Sequence, residues 1–581
     1  MISRLLTAFL CLFLAVSSVT AQESRPAPEA ASGTKAKSLV IAQRQMVVAA
    51  EPRAAEAGLE ILRQGGSAAD AAIATELVLG LVEPQSSGLG GGAFLVYWDA
   101  QSRSLATFDG RETAPSAAKP DRFIRDGKPM AFETAVRSGL SVGVPGLMRT
   151  LEAVHKRYGK LPWATLFAPA IKLAEEGFQI SPRLAVLLNE SKADNFSAGA
   201  RAYFFDENDR PRAAGDVRTN SAYAETLRVI AEKGADAFYS GPIADAIVKA
   251  VGKASSIPGD MTTADLSGYV AKERDPVCVN YRARKVCGMG PPSSGGITVG
   301  TVLKLIEPFP QVQGAAALMS APALHIIAEA EKLAFADRNR YIADPDHVSI
   351  PSGLMDDTYL AERRKLINPE KAMDKAEPGL PPGLAKKTFG KDFTNEVPGT
   401  TQISIVDADG NALSMTATIE SAFGSHLWAA GFLLNNQLTD FSFIPVDATG
   451  ALVANAVAGG KRPRSSMAPT IVLDSQGTPE IVTGSPGGSQ IILYVVKTLV
   501  GILDWGLNAQ QAAALPNFGS QGGPFIIEYS PYYVWPAFDL TSYGHVIGNT
   551  TMTSGIHTIV RRAGHLEGGA DPRREGVAVG D

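Results

Sequence analysis

The stretch that decides the reading is Thr400-Thr401-Gln402-Ile403-Ser404-Ile405-Val406-Asp407-Ala408-Asp409-Gly410-Asn411-Ala412-Leu413-Ser414-Met415-Thr416-Ala417-Thr418. Apolar and polar residues alternate on both sides of Asp407–Gly410, the pattern of two antiparallel strands joined by a tight turn. Asp at the first turn position and Gly at the fourth suit a type I turn with Gly410 as the bulge residue. A three-residue loop then sets Ile403 opposite Met415, Ile405 opposite Leu413, Gln402 opposite Thr416 and Ser404 opposite Ser414. A two-residue loop would pair Ile403 with Thr416 and turn each apolar set to the wrong face. The first register is therefore expected. It also puts Thr400 opposite Thr418 on the polar face, with Cβ atoms about 4.5–5.5 Å apart.

A threonine at a strand start is ordinarily just a good β-former. Three neighbours change its meaning. Residues 369–399 carry Pro378, Gly379, Pro381, Pro382 and Gly383, many charges and no periodicity, so a long loop precedes Thr400. Thr418 supplies a second hydroxyl. Gly484-Ser485-Pro486-Gly487-Gly488-Ser489 follows the strand Glu480 to Thr483 and offers backbone N–H donors. If the Gly399–Thr400 bond is cut, Thr400 gains an α-amine with a reference pKa of about 7.7–8.0, a fit general base at neutral pH. One residue then carries both nucleophile and base.

The rest of the chain narrows the class. Arg4, the apolar run Leu5 to Val16 and Val19-Thr20-Ala21 read as a signal peptide over residues 1–21. The run is too short to span a bilayer, so an exported, periplasmic or secreted protein without a membrane anchor is expected. A formal charge of −5, from 54 basic and 59 acidic residues without a polybasic run, argues against nucleic acid. The 7 histidines show no ligand spacing, so neither metal nor cofactor is expected. Cys278 and Cys287 flank a short hairpin in an exported chain and are expected to form a disulfide. The chain is helix-rich to Arg363, strongly β after Thr400 and mixed after Ile491, with Ser67 and Asp70 forming a capping box.

Two motifs do not carry chemistry. Gly139-Leu140-Ser141-Val142-Gly143 matches a nucleophile elbow, but Pro145-Gly146 interrupts the helix that must follow. Gly88-Leu89-Gly90-Gly91-Gly92 precedes the strand Phe94 to Trp98, the reverse of a phosphate loop, and reads as close backbone packing.

Thr400-Thr401…Asp407…Asp409-Gly410-Asn411, Leu434-Asn435-Asn436-Gln437…Asp440-Phe441, Lys461-Arg462-Pro463-Arg464-Ser465-Ser466-Met467 and Thr483 to Ser489 together resemble the γ-glutamyltransferases of the N-terminal nucleophile hydrolase superfamily. Gly65-Gly66…Asp70-Ala71-Ala72, Gly90-Gly91-Gly92, Arg111-Glu112 and Asp337-Arg338…Tyr341 extend the resemblance upstream. It implies an α+β fold, a four-layer αββα sandwich. It also implies self-cleavage before Thr400 into a large subunit, residues 22–399 with the processing segment 369–399, and a small one, residues 400–581. Carried over, Thr400 is the nucleophile, Thr418 orients it, and Gly487 and Gly488 donate to the oxyanion. Arg111, Ser465 and Ser466 bind the α-carboxylate of a γ-glutamyl group, and Asp440 with Gln437 binds its α-ammonium. The ligands implied are a γ-glutamyl donor such as glutathione and an amino-acid, peptide or water acceptor.

Two departures stand out. Glu420 takes a position often held by asparagine, and strand parity points it to the site. The segment Phe443 to Ala454 is short and lacks the tyrosine of a substrate lid. The rivals are a glutaryl- or cephalosporin-type acylase, for which Asp440 and Glu420 would face no cation, and a non-catalytic periplasmic amino-acid-binding protein.

Overall fold

The computed structural model describes residues 35–384, 389–392, 394, 396, 399–528, 534–549 and 552–581. The predicted leader, residues 1–21, lies outside them, as does part of the segment 369–399. Two antiparallel seven-stranded sheets form the centre. One runs Val577–Gly580, Met46–Ala49, Thr401–Val406, Ala412–Thr418, Gly92–Asp99, Ser104–Gly110, Lys272–Arg274. The other runs Val40–Ala42, His565–Ala570, His557–Arg562, Pro479–Gly484, Thr470–Leu473, Arg284–Gly288, Val277–Tyr281.

Three apolar layers show how the sheets stack. Ile403, Ile405, Leu413 and Met415 pack outward against the helices Pro52–Arg63, Ala68–Val82 and Leu147–Tyr158. Val472, Ile481 and Val560 pack outward on the other side, against Gly295–Ile306, Ala321–Tyr341 and Ile491–Leu503. Val48, Val96, Trp98, Val406, Ala412, Ile471, Leu473 and Ile559 meet between the sheets. The order is helix, sheet, sheet, helix, the αββα sandwich expected.

The hairpin adopts the expected register, with Ile403 paired to Met415, Ile405 to Leu413, Gln402 to Thr416 and Ser404 to Ser414. Its turn closes through Gly410 N–H to the Asp407 carbonyl at 3.1 Å, and Gly410 has φ +85°. The Asp407 carboxylate accepts the N–H groups of Asp409 and Asn411. The polar face turns inward, between the sheets. There Ser404 donates to the His557 carbonyl, Ser414 to the Thr483 carbonyl and Thr416 to Gln402 Oε1, each at 2.7–2.8 Å. The inter-sheet layer is thus apolar near the turn and polar toward Thr400, which satisfies buried groups and fixes the strand ends.

Four further local expectations hold. Ser67 and Asp70 form a capping box on Ala68–Val82. Cys278 and Cys287 are directly opposed in the hairpin and disulfide-bonded. Gly91 packs against the end of the Thr418 strand, where an added Cβ would stand 2.0 Å from the Thr418 carbonyl oxygen. Ser141 lies in a 3-10 turn and spends its hydroxyl on the carbonyls of Val136 and Ser138, so it is no nucleophile.

Candidate active site

Thr400 and Thr418 sit at the open end of the hairpin, and the loop after Pro479–Gly484 reaches the same place from the second sheet. The sheets touch closely here: a Cβ on Gly484 would stand 2.2 Å from Gln402 Oε1. One cavity gathers Arg111, Gly399, Thr400, Thr418, Glu420, Gln437, Asp440, Ser465, Ser466 and Gly488. These residues come from six separate stretches of the sequence. Gly487 lies behind the lining, at φ +143°, with no space for a side chain beside the Tyr494 ring. Gly488 begins the 3-10 turn that leads into the helix Ile491–Leu503, so its N–H belongs to a helix start, where the dipole favours negative charge.

In the continuous chain the Thr418 hydroxyl donates to the Gly399 carbonyl, the bond expected to be cut, rather than to Thr400. It accepts from the Glu420 N–H at 2.8 Å. Arg574 Nη1 donates to the Thr400 carbonyl at 3.2 Å. Gly399 is pressed so hard against the next turn that an added Cβ would lie 1.3 Å from the Glu420 oxygen. Only glycine fits.

Arg111 and Asp440 were expected at opposite ends of a substrate; they pair with each other, Nη2 to Oδ2 at 2.5 Å. Arg111 also donates to the carbonyls of Pro463 and Arg464 at 3.2 and 2.9 Å. Gln437 Nε2 donates to the same Asp440 oxygen at 2.8 Å. Glu420 reaches the cavity, but not by strand parity. The strand ends at Thr418, and Glu420 stands beyond it at φ +79°, an uncommon backbone for a non-glycine residue. Its Oε2 accepts from Ser421 at 2.5 Å and Asn436 at 2.8 Å.

Three acceptor oxygens remain. Among the described residues no N–H or hydroxyl donor reaches the buried Glu420 Oε1, Gln437 Oε1 and Asp440 Oδ1, and the raised Glu420 carboxyl hydrogen-bonds to Asp440. Burial pushes both carboxyls up from the usual range, Glu420 well above it, and the mutual repulsion of the two acids adds to the rise at Glu420. A cation with several N–H donors would satisfy all three oxygens at once.

The sequence reading missed Glu396, Arg338 and Arg464. Glu396 also lines the cavity, and its carboxylate is held by Arg338, Arg464 and the Ser466 hydroxyl. Arg338 and Arg464 stand inside the stretches Asp337-Arg338…Tyr341 and Lys461 to Met467, yet nothing in their spacing reveals a shared partner. Glu396 lies in an aperiodic charged loop that offers no signal at all. The short segment Phe443 to Ala454 folds over this loop, with Gly390 N–H bonded to the Leu452 carbonyl and Phe443 stacked on Phe123.

Elsewhere, His325 and His545, far apart in sequence, hydrogen-bond at 2.8 Å beside Glu329. Glu329 already accepts from Lys332 and from the Met373 N–H. The group is closed by its own bonds.

The Gamma-glutamyltranspeptidase family profile matches residues 54–581. The chain belongs to the γ-glutamyltranspeptidase family. Among the relatives of this γ-glutamyltranspeptidase-family chain, the glutathione hydrolase proenzyme of Escherichia coli (strain K12) is 37% identical over 88% of this chain and 87% of its own length. That of Bacillus subtilis (strain 168) is 34% identical over 99% and 98%. Among solved structures, the cephalosporin acylase from Bacillus halodurans superposes with a TM-score of 0.82 at 28% identity, covering 96% of this chain and 98% of that one. The Helicobacter pylori γ-glutamyltranspeptidase gives 0.54 at 33% identity, over 60% of this chain and 97% of its own.

Proposed function

We propose that this chain is an exported γ-glutamyltransferase and glutathione hydrolase that cuts itself before Thr400. In the first reaction the Thr400 hydroxyl attacks the Gly399 carbonyl carbon, which Thr418 polarises. The hydroxyl proton passes to the Thr400 nitrogen as the C–N bond breaks, giving the new α-amine, and water hydrolyses the resulting ester to leave the Gly399 carboxylate and free the hydroxyl. The fragments 22–399 and 400–581 stay together. In the second reaction the α-amine takes the hydroxyl proton while Thr400 Oγ1 attacks the γ-carbonyl of the donor. Gly487 and Gly488 N–H groups receive the oxyanion, each donor being worth several kcal/mol in comparable sites. The proton passes to the departing amine, and an amino acid, peptide or water then takes the acyl group.

The observation that carries this reading is the trio of buried acceptor oxygens on Glu420, Gln437 and Asp440, reached by no N–H donor among the described residues, which suits an α-ammonium. Ser465 and Ser466, with Arg111 beside them, face the carboxylate of the same amino-acid head. The likeness to the Bacillus halodurans cephalosporin acylase supports a second reading, removal of a glutaryl group. Glutaryl has no ammonium and would leave those oxygens unsatisfied. N-terminal sequencing tests the first reaction and should find a second start at Thr400. Turnover of γ-glutamyl against glutaryl anilide tests the second; faster glutaryl cleavage would replace this reading with the acylase.

A further inference from the structure

Thr400 is held from behind by a side chain that no motif singled out. Arg574, 2% exposed, donates from Nη1 to the Thr400 carbonyl at 3.2 Å. It also lies against the loop that carries Gly487 and Gly488, since an added Cβ on Gly555 would stand 2.6 Å from both Arg574 Nε and Pro486 Cγ. Arg574 belongs to the segment 571–576, which leaves His565–Ala570 in one sheet and enters Val577–Gly580 in the other. A crossover between sheets has no ladder of its own, so other groups must fix its backbone.

At the start of the crossover, the Asp571 carboxylate accepts the N–H groups of Ile556 and Arg573 at 3.1 and 3.0 Å. At its end Gly576 is wedged, an added Cβ lying 2.4 Å from His557 Nε2 and 2.6 Å from the Ala49 carbonyl oxygen. In between, Glu575 accepts the Arg183 N–H at 3.0 Å. The carbonyls of Arg574 and Gly576 both accept from Lys37 Nζ, the first at 2.7 Å. The Lys35 N–H adds a bond to the Pro572 carbonyl at 2.9 Å. Lys37 stands just before Val40–Ala42, which pairs with His565–Ala570, so residues 35–42 lie along the crossover as a strap. The strap precedes residues 54–581, the part matched by the family profile. Lys37 thus grips the main chain of the residue whose side chain grips Thr400.

We propose that Lys37 and Arg574 are positioning residues for Thr400, Lys37 fixing the crossover through the Arg574 carbonyl and the Arg574 side chain fixing the nucleophile through the Thr400 carbonyl. A guanidinium this near also disfavours a second positive charge, so it keeps the Thr400 amine in its proton-accepting form once the chain is cut. That second effect rests on the cut proposed above; the hold on the carbonyl does not. Burial pushes the Lys37 ammonium down to about 8, opposed by Asp571, Glu575 and Glu83 and aided by Lys35. Burial also pushes Glu83 up to about 7 and His557 down to about 3, so His557 is neutral beside Lys37.

Kinetics on the cut enzyme test the proposal. Lys37→Met and Arg574→Met should each lower kcat about tenfold, as a misplaced nucleophile does, with KM within about threefold. Both should move the acid limb of kcat, set by the Thr400 amine, to higher pH. The double variant should lose no more than Arg574→Met alone, because the two residues act along one path. Losses that multiply, or an unchanged kcat in Lys37→Met, would overturn the proposal. If Lys37→Met does not fold, Lys37→Arg carries the test, because it stays charged where lysine does not. The parent kcat should then fall above a pH of about 8 while that of Lys37→Arg stays level; superimposed alkaline limbs would overturn the proposal. Hydrogen exchange separates this proposal from the cut. Faster exchange at residues 400–402 in Arg574→Met upholds the hold on Thr400 even in a chain that stays whole, and unchanged exchange there sinks it whether or not the chain is cut.

Discussion

Burial side by side is what gives Glu420 and Asp440 their chemistry. With both carboxyls raised, acidification protonates the ammonium socket at a higher pH than an ordinary acid would. The acid limb of kcat/KM should therefore lie above the usual carboxylate range. Glu420→Gln removes the carboxyl raised furthest, keeps a donor for Asp440 in the amide N–H, and should move that limb to lower pH; a pH profile that stays put would separate Glu420 from substrate binding. Glu112 behaves differently, because it bears on stability. It is fully buried, neither oxygen has a hydrogen-bond donor among the described residues, and burial, only partly opposed by Arg111, pushes its carboxyl up to about 8. Between pH of about 4.5 and 8 the folded protein keeps a proton that the unfolded chain has lost, so stability falls as pH rises through that window. Glu112→Gln should flatten the fall, by on the order of a few kcal/mol at pH 8, as read by thermal melts across that range. Arg111→Lys should raise KM about tenfold, since the planar fork that serves Asp440 and two carbonyls from separate nitrogens is lost. Thr400, Thr418, Asp440 and the serine pair could be picked out from sequence because their neighbours repeat a family pattern. Glu396 could not, since its partners lie 58 and 68 residues away in the chain.

At the scale of elements, the hairpin Thr401–Val406 with Ala412–Thr418 was legible to the residue because a wrong register would put apolar side chains in the polar inter-sheet layer. That constraint stops at Thr418. Beyond it, positive φ at Glu420 and the pressure of its carbonyl on Gly399 set the geometry, and strand alternation carries no information about either. The expected consequence is sharp: Gly399→Ala cannot fit without moving the Glu420 backbone. The variant should keep its sheets by circular dichroism, remain a single band on a denaturing gel and lack transfer activity. Two fragments from Gly399→Ala would show that the turn yields. Removing the Cys278–Cys287 bridge with paired serines should be mild in comparison. In the chain-entropy model the short loop is worth about 2–3 kcal/mol, and the hairpin lies at a sheet edge. Lower thermal stability with little change in kcat is expected.

Across the whole molecule, both sheets combine strands from before and after Thr400. Thr401–Val406 lies between Met46–Ala49 and its hairpin partner, and Ala412–Thr418 is bonded in turn to Gly92–Asp99. In the other sheet Thr470–Leu473 pairs with Arg284–Gly288, and His565–Ala570 with Val40–Ala42. A protein cut before Thr400 should therefore elute as one species on native size exclusion and part only on denaturation. The same weave governs how such an enzyme can be made. Neither half owns a complete sheet, so two genes divided at this bond would have to be expressed together, and halves refolded apart and then mixed would find their neighbours' places already closed or collapsed.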